Sequence, residues 1–171
     1  MGFKNMGFKA LLSEKGKDYF YIMHLSYNGR ERERLWNYAR ENNLIGLDVP
    51  SIVTDNWIKV RESAKKSLPN IWVRQFDIFC NEMKVGDIVV TLNGWGSLLG
   101  VAKITESHHR YDKELSDKEI FFDHVRQVQW IKRREYANRL LIPEPIKGFN
   151  NTLSKVMPHT RRWSILTNLG I

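Results

Sequence analysis

The chain has 171 residues, of which 42% are hydrophobic and 27% charged. That length and mixture suit one domain with a real core, spanning residues 1–171. They exclude a membrane-spanning helix, since no stretch approaches ~18 uninterrupted apolar residues. Lys and Arg number 27 against 19 Asp and Glu, giving a formal net charge of +8 and a pI of about 9.6. A domain so basic attracts polyanions, nucleic acid above all. Six Trp and six Tyr point the same way, because flat rings beside cations are what unpaired bases stack on.

At the N-terminus the tetrapeptide MGFK occurs twice, and nothing there reads as a signal peptide. The lone Cys80 excludes an internal disulfide and a cysteine-based zinc site, and predicts a cytoplasmic protein. "DYFYIMHL" (18–25) reads as a buried strand. The segment after it predicts a helix with a capping box of Asn28 and Glu31, an apolar stripe through Leu35, Trp36 and Ala39, and a left-handed stop at Asn42-Asn43. "LIGLDV" (44–49) is a short strand. "TDNWIKVRESAKK" (54–66) predicts a second helix, capped by Thr54 or Asp55. "IWVRQFDIFCNEMKVGD" predicts a third, with Trp72, Phe76, Phe79, Cys80 and Met83 on one face and Gly86 as its stop.

"DIVVTL" (87–92) and "SLLGVAKIT" (97–105) form a hairpin around Gly94-Trp95-Gly96. Residues 106–119 read as a polar loop, 120–131 as a strand, and "NTLSKVM" (151–157) as a short helix capped by Asn151 or Thr152. Trp36, Trp57, Trp130 and Trp163 read as core or interface residues.

No phosphate loop, dinucleotide fingerprint or H-E-x-x-H motif occurs. His108-His109 has no further ligands converging on it, so no metal or other cofactor is predicted. Cys80, on an apolar helix face, reads as a structural thiol rather than a nucleophile. The acidic residues between Asp112 and Asp123 read as a solvated loop. Binding, not catalysis, is the expected activity.

From Trp72 to Trp130 the order of elements resembles the EVE and YTH domains of the PUA-like superfamily. The pattern is a Trp opening an amphipathic helix, the turn "MKVGD", a strand carrying "LLGVAKIT", and a later strand ending "VRQVQWI". The helix at 31–42 followed by "LIGLDV" is similar to the N-terminal domain of McrB-type restriction proteins. The resemblance implies an α+β fold, a small curved β-barrel flanked by helices. It also implies a modified base held in an aromatic pocket: N6-methyladenine in RNA for YTH domains, methylated DNA with the base turned out for McrB-type domains. It places Trp72 as one wall, with Val73 beside it, and Tyr111 as the second wall in a loop that lacks the family's usual Trp. Trp95 is an exposed residue that can fill the gap left by the departed base or stack on a neighbour. Arg74, Lys103, His109, Arg110, Arg161 and Arg162 are the candidates for gripping the strand.

The expected partner is DNA with modified bases, reached as the targeting domain of a longer restriction protein with its motor and a nuclease subunit elsewhere. The alternatives are an RNA reader of the YTH or EVE kind, a small ASCH-like enzyme acting on nucleic acid, and a protein-interaction domain whose partner covers Trp95.

Overall fold

A computed structural model describes residues 8, 10 and 12, 19–25, 29–49, 51–117, 122–144 and 152–169. Its centre is the apolar strand β1 (Phe20–Leu25), followed by α1 (Gly29–Asn42) and β2 (Leu44–Leu47). Asn43 ends α1 in the left-handed region with φ 55°, as its type favours. The Asn28 cap lies outside the described residues. Next come α2 (Trp57–Ser67) and α3 (Asn70–Asp77), the latter running into a π turn over Ile78–Glu82. The hairpin is β3 (Ile88–Asn93) and β4 (Ser97–Ile104); β5 (Arg110–Tyr111), α4 (Lys113–Asp117) and β6 (His124–Arg133) follow. A 3₁₀ turn (Tyr136–Asn138), β7 (Leu140–Leu141), β8 (Leu153–Val156) and α5 (Arg161–Thr167) complete the described chain.

The strands form one curled half-barrel in the order β2-β6-β4-β3-β1-β8, with β5 added to β6 and β7 to β4. Among the described residues only β1 and β3 run parallel; the other pairs are antiparallel. The α+β barrel expectation holds in its curvature and flanking helices, while β2 and β8 remain unjoined edges.

Cover on both faces explains why β1 and β3 are mostly apolar, with His24, Thr91 and Asn93 the exceptions. Tyr21, Met23, Val89, Ala102, Ile104, Val128 and Leu153 face one side, where they pack on Trp57, Val73, Phe76 and Phe79 from α2, α3 and the π turn. Phe20, Ile22, Ile88, Val90, Leu92 and Val101 face the other, under Leu166 of α5. A strand covered on both faces gains from being hydrophobic at every position. A smaller cluster around Trp36 and Leu99 joins α1 to the hairpin, with Trp130 edge-on to Trp36 at 5.0 Å.

Three expectations need correction. The segment at 151–157 is not a helix: residues 153–156 are β8, which pairs with the open edge of β1. The local Asn-Thr cap signal loses to a long-range ladder. The third helix is not uniform, since the Met83 amide donates to the Ile78 carbonyl at 3.0 Å, five residues back. That wider turn brings both Ile78 and Phe79 inside, where an α-helix would rotate one of them away. The polar stretch after β4 is not all loop, since it contains β5 and α4. Beyond these, α5 appears where the sequence reading assigned nothing, with the Thr160 hydroxyl accepting from the Trp163 amide. Among the described residues no helix is long and apolar enough to cross a membrane.

Candidate functional site

A cavity of about 390 Å³ opens between three segments far apart in sequence. Asp55, Asn56, Trp57 and Ile58 come from the start of α2, Cys80 and Asn81 from the π turn, and His108 and His109 from the β4–β5 loop. Each wall has a local reason to be where it is. The Asn56 side chain accepts from the Lys59 amide and so starts α2. That places Trp57 in the first turn, where it is 2% exposed. Its Nε1 donates to Asp77 at 2.7 Å, and Arg61 grips the same carboxylate at 2.7 and 2.8 Å. Burial works against the charge on Asp77, but hydrogen bonds from Arg61 and Trp57 hold its carboxyl below the usual range. One carboxylate thereby ties α2 to α3.

Arg126 holds the remaining walls together. It is fully buried, and its guanidinium donates to the carbonyls of Phe79 and Met83 in and after the π turn and of Glu106 and Ser107 in the β4–β5 loop, at 2.7–3.0 Å. The charge is costly to bury, and four carbonyl dipoles offset that cost.

Cys80 and His109 in the cavity wall, and His124 behind it, are held neutral. Burial, then the fields of His124 and Arg126, push the His109 imidazole down to about 4, against the pull of Asp55 and the Thr54 backbone. Burial lowers His124 as well, whose Nε2 donates to the Ile52 carbonyl at 2.6 Å. Burial raises the Cys80 thiol. Behind the cavity the rings stack in a chain: Phe79 to His109 at 6.1 Å, His109 to His124 at 5.7 Å, His124 to Tyr111 at 5.3 Å. Asp123, 4% exposed, is pushed up to about 6 by burial and by the nearby Asp48.

The residues singled out in the sequence are only partly gathered here. Trp72 is not among those lining the cavity; it packs half-buried against the main core, and Val73 is 6% exposed within it. The neighbouring Trp57 stands where Trp72 was expected. Tyr111 touches the ring cluster through His124 without lining the cavity. His109 is a neutral wall rather than a cation for phosphate, because burial removes its proton. Arg110 is tied to Glu106 and Asp112, and Arg74 to Glu82. Lys103 sits in register with Ile88 near the end of β4.

Trp95, Arg161 and Arg162 belong elsewhere. Trp95 lies beyond the Ser97 end of β4, whereas His108 and His109 follow its Ile104 end. Eight residues of strand separate them by about 25 Å, too far for Trp95 to fill the gap behind a base in this cavity. Arg161, engaged by Glu144, and Arg162 stand on α5, across the sheet from α2 and α3. The sequence reading missed Asp55, Asn56, Asn81 and His108 as a group. The signal that was there is "TDNW", a cap cluster that delivers a Trp into the first helical turn.

Against known proteins, a family model described as "Domain of unknown function (DUF8426)" matches residues 22–153. No curated protein matches the chain. Among solved structures, the chain is similar to the YTH domain of the Zygosaccharomyces rouxii MRB1 protein in complex with N6-methyladenosine RNA. The match has 18% identity and a TM-score of 0.46, and covers 90% of this chain and 85% of that one.

Proposed function

Since this chain belongs to the DUF8426 family, whose description carries no activity, we propose its function from the cavity: it is a non-enzymatic reader of a modified base in nucleic acid. The base, turned out of DNA, enters between the start of α2, the π turn and the β4–β5 loop. In the cell this makes it the cytoplasmic targeting domain of a McrB-type restriction system, with motor and nuclease supplied by other domains or subunits. The observation that carries this reading is a cavity of about 390 Å³, lined by two amides, a carboxylate, two imidazoles and an indole among others, on a chain of net charge +8.

That volume lies within the range of small-ligand pockets. A nucleobase is flat and neutral and displays donors and acceptors along its edge. Asn81 and His109 suit such an edge, with Ile58 giving apolar surface at the mouth. Turning a base out costs a few kcal/mol, so phosphate contacts must add to what the pocket gains. Binding is favoured over catalysis because Cys80 and His109 are both held neutral, the reverse of an activated thiolate–imidazolium pair.

The test is titration with fluorescent DNA and RNA oligonucleotides carrying one N6-methyladenine or one 5-methylcytosine, against unmodified controls. The modified DNA is expected to bind at least about tenfold more tightly. Asn81→Ala is expected to erase most of that preference with the melting temperature unchanged. Equal affinity for every modified and unmodified probe overturns the reading.

A further inference from the structure

The hairpin tip collects cations that the cavity does not use. Gly94 takes φ 59° to make the turn, and Trp95 beside it is 43% exposed. An Arg32 Nη1 lies 3.7 Å from where a Cβ on Gly94 would stand, which places α1 against the tip. Arg133 pairs in register with Gly100, and the Arg134 amide donates to the Leu99 carbonyl at 2.9 Å. Trp36, one turn after Arg32, donates to the Arg134 carbonyl at 2.7 Å. From the other face, Arg162 is close enough to His24 to depress its protonation, after the larger effect of burial, and His24 donates to the Gly94 carbonyl at 2.8 Å.

Arg32, Arg133 and Arg134 differ from most of the other arginines in counter-charge. Arg40, Arg61, Arg74, Arg110 and Arg161 each have a carboxylate. Among the described residues Arg32, Arg133 and Arg134 have none, and the Nε atoms of Arg32 and Arg134 are buried with no hydrogen-bond partner. Glu135, next to Arg134 in the chain, is already engaged by Arg40, while Glu31 and Glu33 flank Arg32. Arginines without an ion pair, one of them against the turn that carries an exposed indole, have the chemistry of a backbone grip beside a stacking platform.

We propose that this tip is a second nucleic-acid contact, where an unpaired nucleotide stacks on Trp95 while Arg32, Arg133 and Arg134 hold the flanking phosphates. It rests on the reading that the partner is nucleic acid, but not on what enters the cavity. About 25 Å of strand β4 between the two places corresponds to roughly seven nucleotides at 3.4 Å each, so one bound strand can reach both.

The experiment is fluorescence polarisation with unmodified 12-nucleotide oligo-dT and oligo-U in parallel arms. It compares the whole chain with Trp95→Ala, Trp95→Phe, Arg32→Ala/Arg133→Ala and Asn81→Ala, each checked by thermal melting. Trp95→Ala is expected to weaken binding about tenfold and Trp95→Phe to recover much of it. The double arginine variant is expected to flatten the plot of log affinity against log salt by about one to two. Asn81→Ala is expected to leave unmodified strands bound as before. The proposal is overturned if neither strand binds, if Trp95→Ala binds like the parent, or if Asn81→Ala loses as much as Trp95→Ala. Loss of base preference in Asn81→Ala with tip binding intact supports both readings. Absence of base preference in the parent, with tip binding intact, removes the cavity reading alone.

Discussion

At the Ile104 end of β4 the charges are locked. Asp77 is clasped by Arg61 and Trp57, Arg126 is spent on four carbonyls, and His109 and His124 are neutral. At the Ser97 end Trp95 is exposed, Arg32 lies against Gly94, and among the described residues Arg32, Arg133 and Arg134 make no ion pair. The difference teaches that net charge alone does not locate a binding surface. Many of the cations that give +8 are satisfied internally. What remains available depends on where the acids were placed and on what they already engage.

Removing the lock should have the largest effect. Arg126→Met leaves four carbonyls without donors in the interior. A loss of about 3–5 kcal/mol is expected in urea unfolding, with the β4–β5 loop the first part to gain hydrogen exchange. A loss below 1 kcal/mol would mean that the walls hold themselves. At the other end the comparison is sharpened by Gly100→Ala. Its Cβ would meet the Trp36 ring at 2.7 Å and the Lys132 carbonyl at 2.9 Å. A cost of about 1–3 kcal/mol is expected, together with altered strand binding but unaltered base preference.

The smallest expected effect depends on pH. His109 titrates at about 4 in the fold against 6.5 when unfolded, so its contribution is complete above pH 6.5 and lost as pH falls toward 4. Asp123 has the opposite sign. Its pKa is raised from 3.8 to about 6, so its buried charge costs stability above pH 6, and that cost vanishes as pH falls toward 4. The two slopes oppose each other. Asp123→Asn is expected to gain about 1–2 kcal/mol at neutral pH and to steepen the acid loss, as read by melting temperature against pH. A parallel curve would show that the two groups do not offset.

The elements legible in the sequence were those whose signal is local. The β3–β4 hairpin announces itself through Gly94 and two apolar runs, and α2 through its spacing, although its cap is Asn56 rather than the expected Thr54 or Asp55. The cavity was not legible, because Trp57, Asn81 and His109 meet only through Asp77 and Arg126, contacts that span tens of residues. A helix-opening Trp looks alike in sequence whether it faces a pocket or the core, and Trp72 packs half-buried against the core without lining this cavity. His109 read as a cation because its neutrality depends on burial that no short window reveals. Residues 151–157 read as a helix because a strand completing another strand's edge carries little pattern of its own.

The central place of β1 has a consequence for biosynthesis. The strand leaves the ribosome before both its partners, the parallel β3 and the antiparallel β8. Until Asn93 has emerged, "FYIMHL" has two bare hydrogen-bonding edges, and one stays bare until Val156 follows. Nascent chains stalled in that interval should be the ones that clump or recruit chaperones.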